Sequence, residues 1–180
     1  CVMGLMISSC GNNNEDALKF KEEYEAVNGE TTSSGKTIRT LDIAEKNPMV
    51  YKSAGDIVKS MNNKESFVVY FGFAKCPWCR SVINTLIETA NELKIKKVYY
   101  VDVYDIRDVR EVGSDGTVTT KTEGSEDYMK LVEMLDNVLE DYSLTNKAGE
   151  TVSAGEKRIY APNVVVVKKG EAVAMSTGIS

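Results

Sequence analysis

Between Asp16 and Val27 the apolar residues Ala17, Leu18, Phe20, Tyr24 and Val27 recur at helical spacing, and Asn28-Gly29 closes the pattern. Residues 30–36 are rich in Thr, Ser and Gly and read as a linker. Ile38 to Ile43 alternates weakly and predicts a strand; Met49 to Lys52 predicts another, shorter one. Ser53 can cap a helix from Ala54 to Met61, with Ile57, Val58 and Met61 on one side. Phe67-Val68-Val69-Tyr70-Phe71, within Ser66 to Phe73, is nearly continuous in apolar character and predicts a central strand covered on both faces. Helical spacing returns with Val82, Ile83, Leu86, Ile87, Ala90 and Leu93, and Lys97 to Val103 predicts the next strand. Strand, helix and strand with short joints predict a right-handed crossover and a parallel pair.

The second half is less dense. Ile106 to Glu123 is polar, with a turn signal at Ser114-Asp115-Gly116 that Val112 and Val118 can flank as a hairpin. Ser125 can cap a helix carrying Tyr128, Leu131, Val132, Leu135, Val138 and Leu139 inward. Ser143 to Lys157 reads as a loop. Asn163 to Lys168 is a strong strand that turns at Lys169-Gly170 into Glu171 to Ser176, an antiparallel hairpin. The expected class is α/β, a mixed central sheet with flanking helices.

Composition narrows the chemistry. The chain has 180 residues, enough for one domain with a full core. Its net charge is −5, and no basic stripe with interleaved aromatics is present, which argues against nucleic acid as a partner. It contains no His, which excludes Ser-His-Asp and Cys-His nucleophilic catalysis and any His-ligated metal. No Asp-rich calcium loop is present, so no metal is expected.

Cys76-Pro77-Trp78-Cys79 sits where the central strand gives way to a helix. The first sulfur then lies at a helix N-terminus, where unpaired amides and the helix dipole favour an anion, and the second lies one turn along. That is the geometry of a thiol–disulfide exchange centre. Half of a zinc site is the competing reading, but it needs two further ligands, and the only other cysteines, Cys1 and Cys10, lie in an apolar leader. Two inert buried thiols are the third reading.

The order of these pieces resembles the thioredoxin-like superfamily. The resemblance rests on Cys76-Pro77-Trp78-Cys79 and on Tyr160-Ala161-Pro162-Asn163 leading into Val164 to Glu171, and covers roughly residues 38 to 178. Phe71-Gly72 ahead of Cys76-Pro77-Trp78-Cys79-Arg80 is similar to small extracytoplasmic members, including bacteriocin transport accessory proteins. The resemblance implies a three-layer fold and a cis peptide bond before Pro162, set against the cysteine pair. It implies that Cys76 is an exposed, ionised thiol that exchanges with a partner and that Cys79 is the more buried resolving thiol. Pro77 would stiffen the loop, Trp78 would offer an apolar surface, and Ala161 and Pro162 would present backbone to an extended peptide. Lys75, Arg80, Lys157 and Arg158 are candidates for positive charge near Cys76. No cofactor is needed, since the Cys76–Cys79 disulfide carries the electrons. The implied partners are thiols or disulfides of exported proteins or peptides, and a redox protein that recycles the pair.

Three departures stand out. The region before the Pro162 strand is enlarged, with insertions at about 106–123 and 143–157 that can rim the site. Tyr70 stands where thioredoxins carry a buried Asp that moves protons, and with Pro77 this leans toward an oxidant or isomerase rather than a reductase, though the direction stays open. The chain stops where the family's last helix would begin, which suggests a fragment or a last helix that is absent. The domain expected is 38–180, preceded by a tether and helix at 11–37.

Residues 1–10 resemble the tail of a bacterial lipoprotein signal peptide: apolar Val2 to Ile7, then Ser8-Ser9-Cys10-Gly11 and a polar tether. On that resemblance Cys10 would be lipidated after cleavage, anchoring the protein at the extracytoplasmic face of a bacterial membrane, where disulfides persist. The functions expected are a thiol–disulfide oxidoreductase, a peptide-binding or secretion accessory module with secondary chemistry, or a redox sensor.

Overall fold

A computed structural model describes residues 13–32 and 35–178. Cys1, Cys10, the rest of the apolar leader and the start of the tether lie outside these residues, as do Ser33 and Ser34 of the linker. The protein is mixed α/β. The elements run α1 (Asn13–Ala26), β1 (Met49–Tyr51), α2 (Ala54–Asn62), β2 (Phe67–Gly72), α3 (Pro77–Glu92), β3 (Val98–Asp102), β4 (Val109–Val112), β5 (Val118–Thr122), α4 (Glu126–Met134), β6 (Glu140–Thr145), β7 (Thr151–Arg158), β8 (Asn163–Lys168) and β9 (Glu171–Ser176).

The main sheet has the order β1-β3-β2-β8-β9. β3 is parallel to both β1 and β2, while β8 is antiparallel to β2 and β9 to β8. Alternation along the central strands divides the core between the two faces of the sheet. Tyr70 and Tyr100 pack with Phe20 and Tyr24 of α1 and Ile83 and Ile87 of α3. Val69, Phe71 and Val101 pack with Ile57 of α2 and Leu131 of α4. The β8–β9 turn is made by Lys169 and Gly170, both at positive φ (50° and 81°), a conformation that matches the twist of a tight hairpin.

Local signals explain where the helices begin. Ser53 and Asp56 form a reciprocal capping box on α2, and Ser125 accepts from the Tyr128 amide on α4. α4 ends at Met134, earlier than the apolar spacing through Leu139 predicts. Leu135 and Leu139 are still buried, but in the turns that lead into β6.

Two further expectations are corrected. Ile38 to Ile43 is not a strand. Ile38, Leu41 and Ile43 are buried; the Ile38 backbone pairs with Gly29 and Glu30, and side chains meet the backbone of Leu41 and Ile43. Asn28 both donates to the Leu41 carbonyl (2.8 Å) and accepts from its amide (2.9 Å), and Glu25 accepts from the Ile43 amide at 2.7 Å. Residues 143–157 are not a loop but most of the β6–β7 hairpin, paired outside the main sheet as β4–β5 is. The two hairpins are joined by Arg110, which donates to Asp108 (2.8 Å) and Glu156 (2.5 Å).

One buried cation ties the N-terminal elements to α3. Arg80 is 1% exposed and donates to the carbonyls of Arg39 (2.7 Å), Tyr24 (2.7 Å) and Ala74 (3.0 Å) and to the Asn28 amide oxygen. The Tyr24 carbonyl belongs to the last turn of α1, where the helix dipole favours a cation. Truncating Arg80 strands these acceptors in the interior, so Arg80→Ala is expected to cost roughly 3 kcal/mol in urea unfolding. A variant that unfolds at the wild-type midpoint would contradict this.

Candidate functional site

The site is built where β2 hands over to α3. β2 ends at Gly72, residues 73–75 turn, and Cys76 is the N-cap of α3 in extended conformation (φ −70°, ψ 116°). Pro77 occupies the first turn, where its missing N–H costs nothing and its fixed φ suits a helix. The role usually taken by a Ser or Asp oxygen falls to sulfur: Cys76 Sγ accepts from the Cys79 amide at 3.2 Å. The antiparallel β2–β8 register places Phe71 opposite Asn163. That register carries residues 161 and 162 alongside the turn after β2. The Ala161–Pro162 peptide bond is cis, and the Cys76 thiol donates to the Ala161 carbonyl at 3.3 Å.

Cys76 and Cys79 are both free thiols, and they differ sharply in acidity. Cys76 is held below the ordinary thiol range, chiefly by a hydrogen bond from the Cys79 thiol. Burial opposes the shift; the amides of Cys79 and Trp78 and the charge of Arg107 add to it. Cys79 is pushed far up, first by burial and then by the hydrogen bond and negative charge it faces at Cys76. The nearby Tyr70 hydroxyl partly offsets that rise. The pair can therefore hold one thiolate and one thiol, with the anion at the helix end.

The structure departs from the expectation of an exposed Cys76, which is only 3% exposed. The Ala161 carbonyl brought over by β8 is part of what covers it. Trp78, by contrast, is 60% exposed, and Pro77 is exposed as well. Tyr104, just after β3, is also exposed and packs on Phe73, with the Arg107 guanidinium 5.0 Å above the Phe73 ring. Ala161 is half-buried and Pro162 buried.

The four charges picked from the sequence are engaged elsewhere. Arg80 is turned into the core, Lys75 pairs with Glu30 (3.1 Å), Lys157 with Asp141 (2.9 Å) and Arg158 with Asp108 (3.5 Å). The cation that acts on Cys76 is Arg107, in the polar stretch after β3. Nothing in the spacing of that polar stretch marks it, since only the packing on Phe73 brings it near. The β6–β7 hairpin is tied to the residue beside Ala161. The Tyr160 hydroxyl, next to Ala161, accepts from the Ser143 amide (3.0 Å) and donates to the Asp141 carbonyl (3.1 Å) of β6.

Among the described residues no group of three or more His, Cys, Asp or Glu side chains could hold a metal ion, and no helix is long and apolar enough to cross a membrane. No protein-family model matches the chain, and no curated protein matches it.

Alkylation reads the acidity difference directly, because only the thiolate reacts. Cys76 is expected to react with iodoacetamide with a midpoint below that of an ordinary thiol, and Cys79 to stay unmodified at neutral pH. Arg107→Ala is expected to move the Cys76 midpoint upward, since it removes a positive charge that favours the thiolate. An unshifted midpoint would remove Arg107 from the account.

Proposed function

We propose that this protein is a thioredoxin-like thiol–disulfide oxidoreductase that exchanges disulfides with exported proteins through Cys76 and Cys79. The observation that carries the reading is the Cys76 sulfur capping α3, with its acidity raised, beside a buried thiol whose acidity is suppressed. In the reaction, the Cys76 thiolate attacks a partner disulfide and forms a mixed disulfide. Cys79 then attacks Cys76 Sγ, closing the Cys76–Cys79 bond and releasing the partner as a thiol. The reverse sequence delivers a disulfide. The mixed α/β architecture and the cysteine pair at the junction of β2 and α3 support placing the chain in that superfamily.

Ala161 lies beside Cys76, Trp78 between the two cysteines is exposed, and Phe73 and Tyr104 pack together at the ends of β2 and β3. Together they suit an extended peptide as substrate. A second redox protein recycles the pair, and no bound cofactor enters the reaction. The Ser8-Ser9-Cys10-Gly11 run supports a lipid anchor at Cys10 and a place on the extracytoplasmic face of a bacterial membrane.

The coverage of Cys76 favours one alternative, a peptide-binding or secretion accessory module that uses the same surface without turnover. The reduction potential separates the two. A stabilised Cys76 thiolate favours the dithiol, so equilibration against glutathione is expected to give a reversible two-electron couple at roughly −120 to −180 mV, the range of oxidants and isomerases. A value near about −270 mV would make the protein a reductase. The absence of a reversible couple would leave the accessory module.

A further inference from the structure

The buried thiol poses a problem that the exchange reaction must solve. Cys79 is 0% exposed, and its proton has to leave before its sulfur can attack. No carboxylate stands at position 70, where thioredoxins have one; Tyr70 does. Its hydroxyl folds back over Gly72. A Cβ built on Gly72 would collide with Tyr70 Oη and lie 3.1 Å from Cys79 Sγ, so the absence of a side chain at Gly72 leaves hydroxyl and sulfur facing the same space.

From Tyr70 the hydroxyls continue. Tyr24 Oη lies 2.9 Å from Tyr70 Oη, and Tyr100, whose ring stacks on Tyr70 at 5.6 Å and meets Tyr24 edge-on at 6.1 Å, brings its hydroxyl toward Tyr24. Tyr100 in turn donates to a Glu23 carboxylate oxygen at 2.8 Å. Tyr24, Tyr70 and Tyr100 are each 0% exposed, and their rings are packed against one another. Glu23 is half-buried and lines an open cavity with Asp102, Phe73, Ala74 and Tyr104. Its other oxygen accepts from Tyr51 at 2.6 Å. The chain of hydroxyls therefore starts at a sealed sulfur and ends at a carboxylate in contact with solvent.

We propose that Tyr70, Tyr24, Tyr100 and Glu23 form a proton relay that takes the Cys79 proton to solvent when the mixed disulfide is resolved. This rests on the exchange reaction proposed above. Cys79 sulfur attacks Cys76 Sγ, the Cys76–Cys79 bond forms, and the bond from Cys76 to the partner breaks with its electron pair leaving on the partner sulfur. The Cys79 proton passes to Tyr70 Oη as Tyr70 gives its own to Tyr24, Tyr24 to Tyr100, and Tyr100 to Glu23. Each hydroxyl gains one proton and loses one, so no tyrosinate is left in the core. That matters because burial, the largest cause, raises all three phenols above their ordinary range. The reverse hops return the proton when the disulfide is reduced. Tyr70 faces the reacting sulfur across Gly72; Tyr24, Tyr100 and Glu23 act through it as positioning residues.

The test uses the whole chain and a small aryl disulfide, which releases one aryl thiolate when Cys76 attacks and a second when Cys79 resolves. Glu23→Gln and Tyr24→Phe keep the shape of each side chain. Both are expected to leave the first release unchanged and to slow the second by about a hundredfold. In mixtures of light and heavy water, the wild-type second release is expected to show the bowed dependence of several protons in flight, and the variants a linear one. A second release at the wild-type rate in both variants overturns the relay. So does a slowing of both releases together, or a linear dependence in the wild type. If the wild type gives no first release, the exchange reaction itself fails and the relay falls with it; a normal first release with unaffected variants removes the relay alone.

Discussion

A helix that starts at residue 77 leaves its first amides without intrahelical partners, and in this protein one of them is satisfied by sulfur. That constraint governs the site. A thiol is a poor acceptor and a thiolate a good one, so capping α3 through Cys76 favours the anion and makes the cap stronger when the group is most nucleophilic. Pro77 fits because its position needs no donor. Cys79 fits because its amide must point back at Cys76, which places its own sulfur one turn along and inside the protein. The opposed acidities of the two thiols follow from this one placement.

The rest of the fold holds that junction still. β2 is central and covered on both faces, so its end is fixed in space, and β8 pairs beside it in the register that carries the cis Ala161–Pro162 bond to Cys76. Arg80 secures the opposite side. Among the described residues its guanidinium meets a set of carbonyls and an amide oxygen rather than a carboxylate, and in meeting them it binds α1 and residues 38–43 to the first turn of α3. The same docking of α1 carries Tyr24 and Glu23 to the sheet. Structural support and the hydroxyl chain thus depend on one helix–helix attachment.

Much of this was legible because apolar density marks central elements strongly. β2, α3, β3 and the β8–β9 hairpin were readable from runs such as Phe67 to Phe71 and Val164 to Val167, and so was the cysteine pair at the strand–helix joint. What was missed depends on distant partners. The β6–β7 hairpin pairs outside the main sheet, and its alternation is short, Tyr142 with Leu144 and Val152 with Ala154, set among charged and polar residues. Residues 38–43 do alternate, but Asn28 and Glu25 take the hydrogen bonds a neighbouring strand would have taken. Cys76 is covered by a carbonyl 85 positions away along the chain. Tyr70 was noticed as a substitution, yet its meaning needs Tyr100, its register partner in β3, and Tyr24 in α1. No local spacing joins those three.

The central claim is that Cys76 bonds to a partner sulfur and that Cys79 resolves the bond. Trapping the intermediate tests it most directly. With Cys79→Ser in the whole chain, a peptide containing one disulfide is expected to remain attached through Cys76 as a mixed disulfide that reducing agent releases, while Cys76→Ser captures nothing. Failure of the Cys79→Ser protein to hold the peptide, at a pH where Cys76 is ionised, would contradict the account.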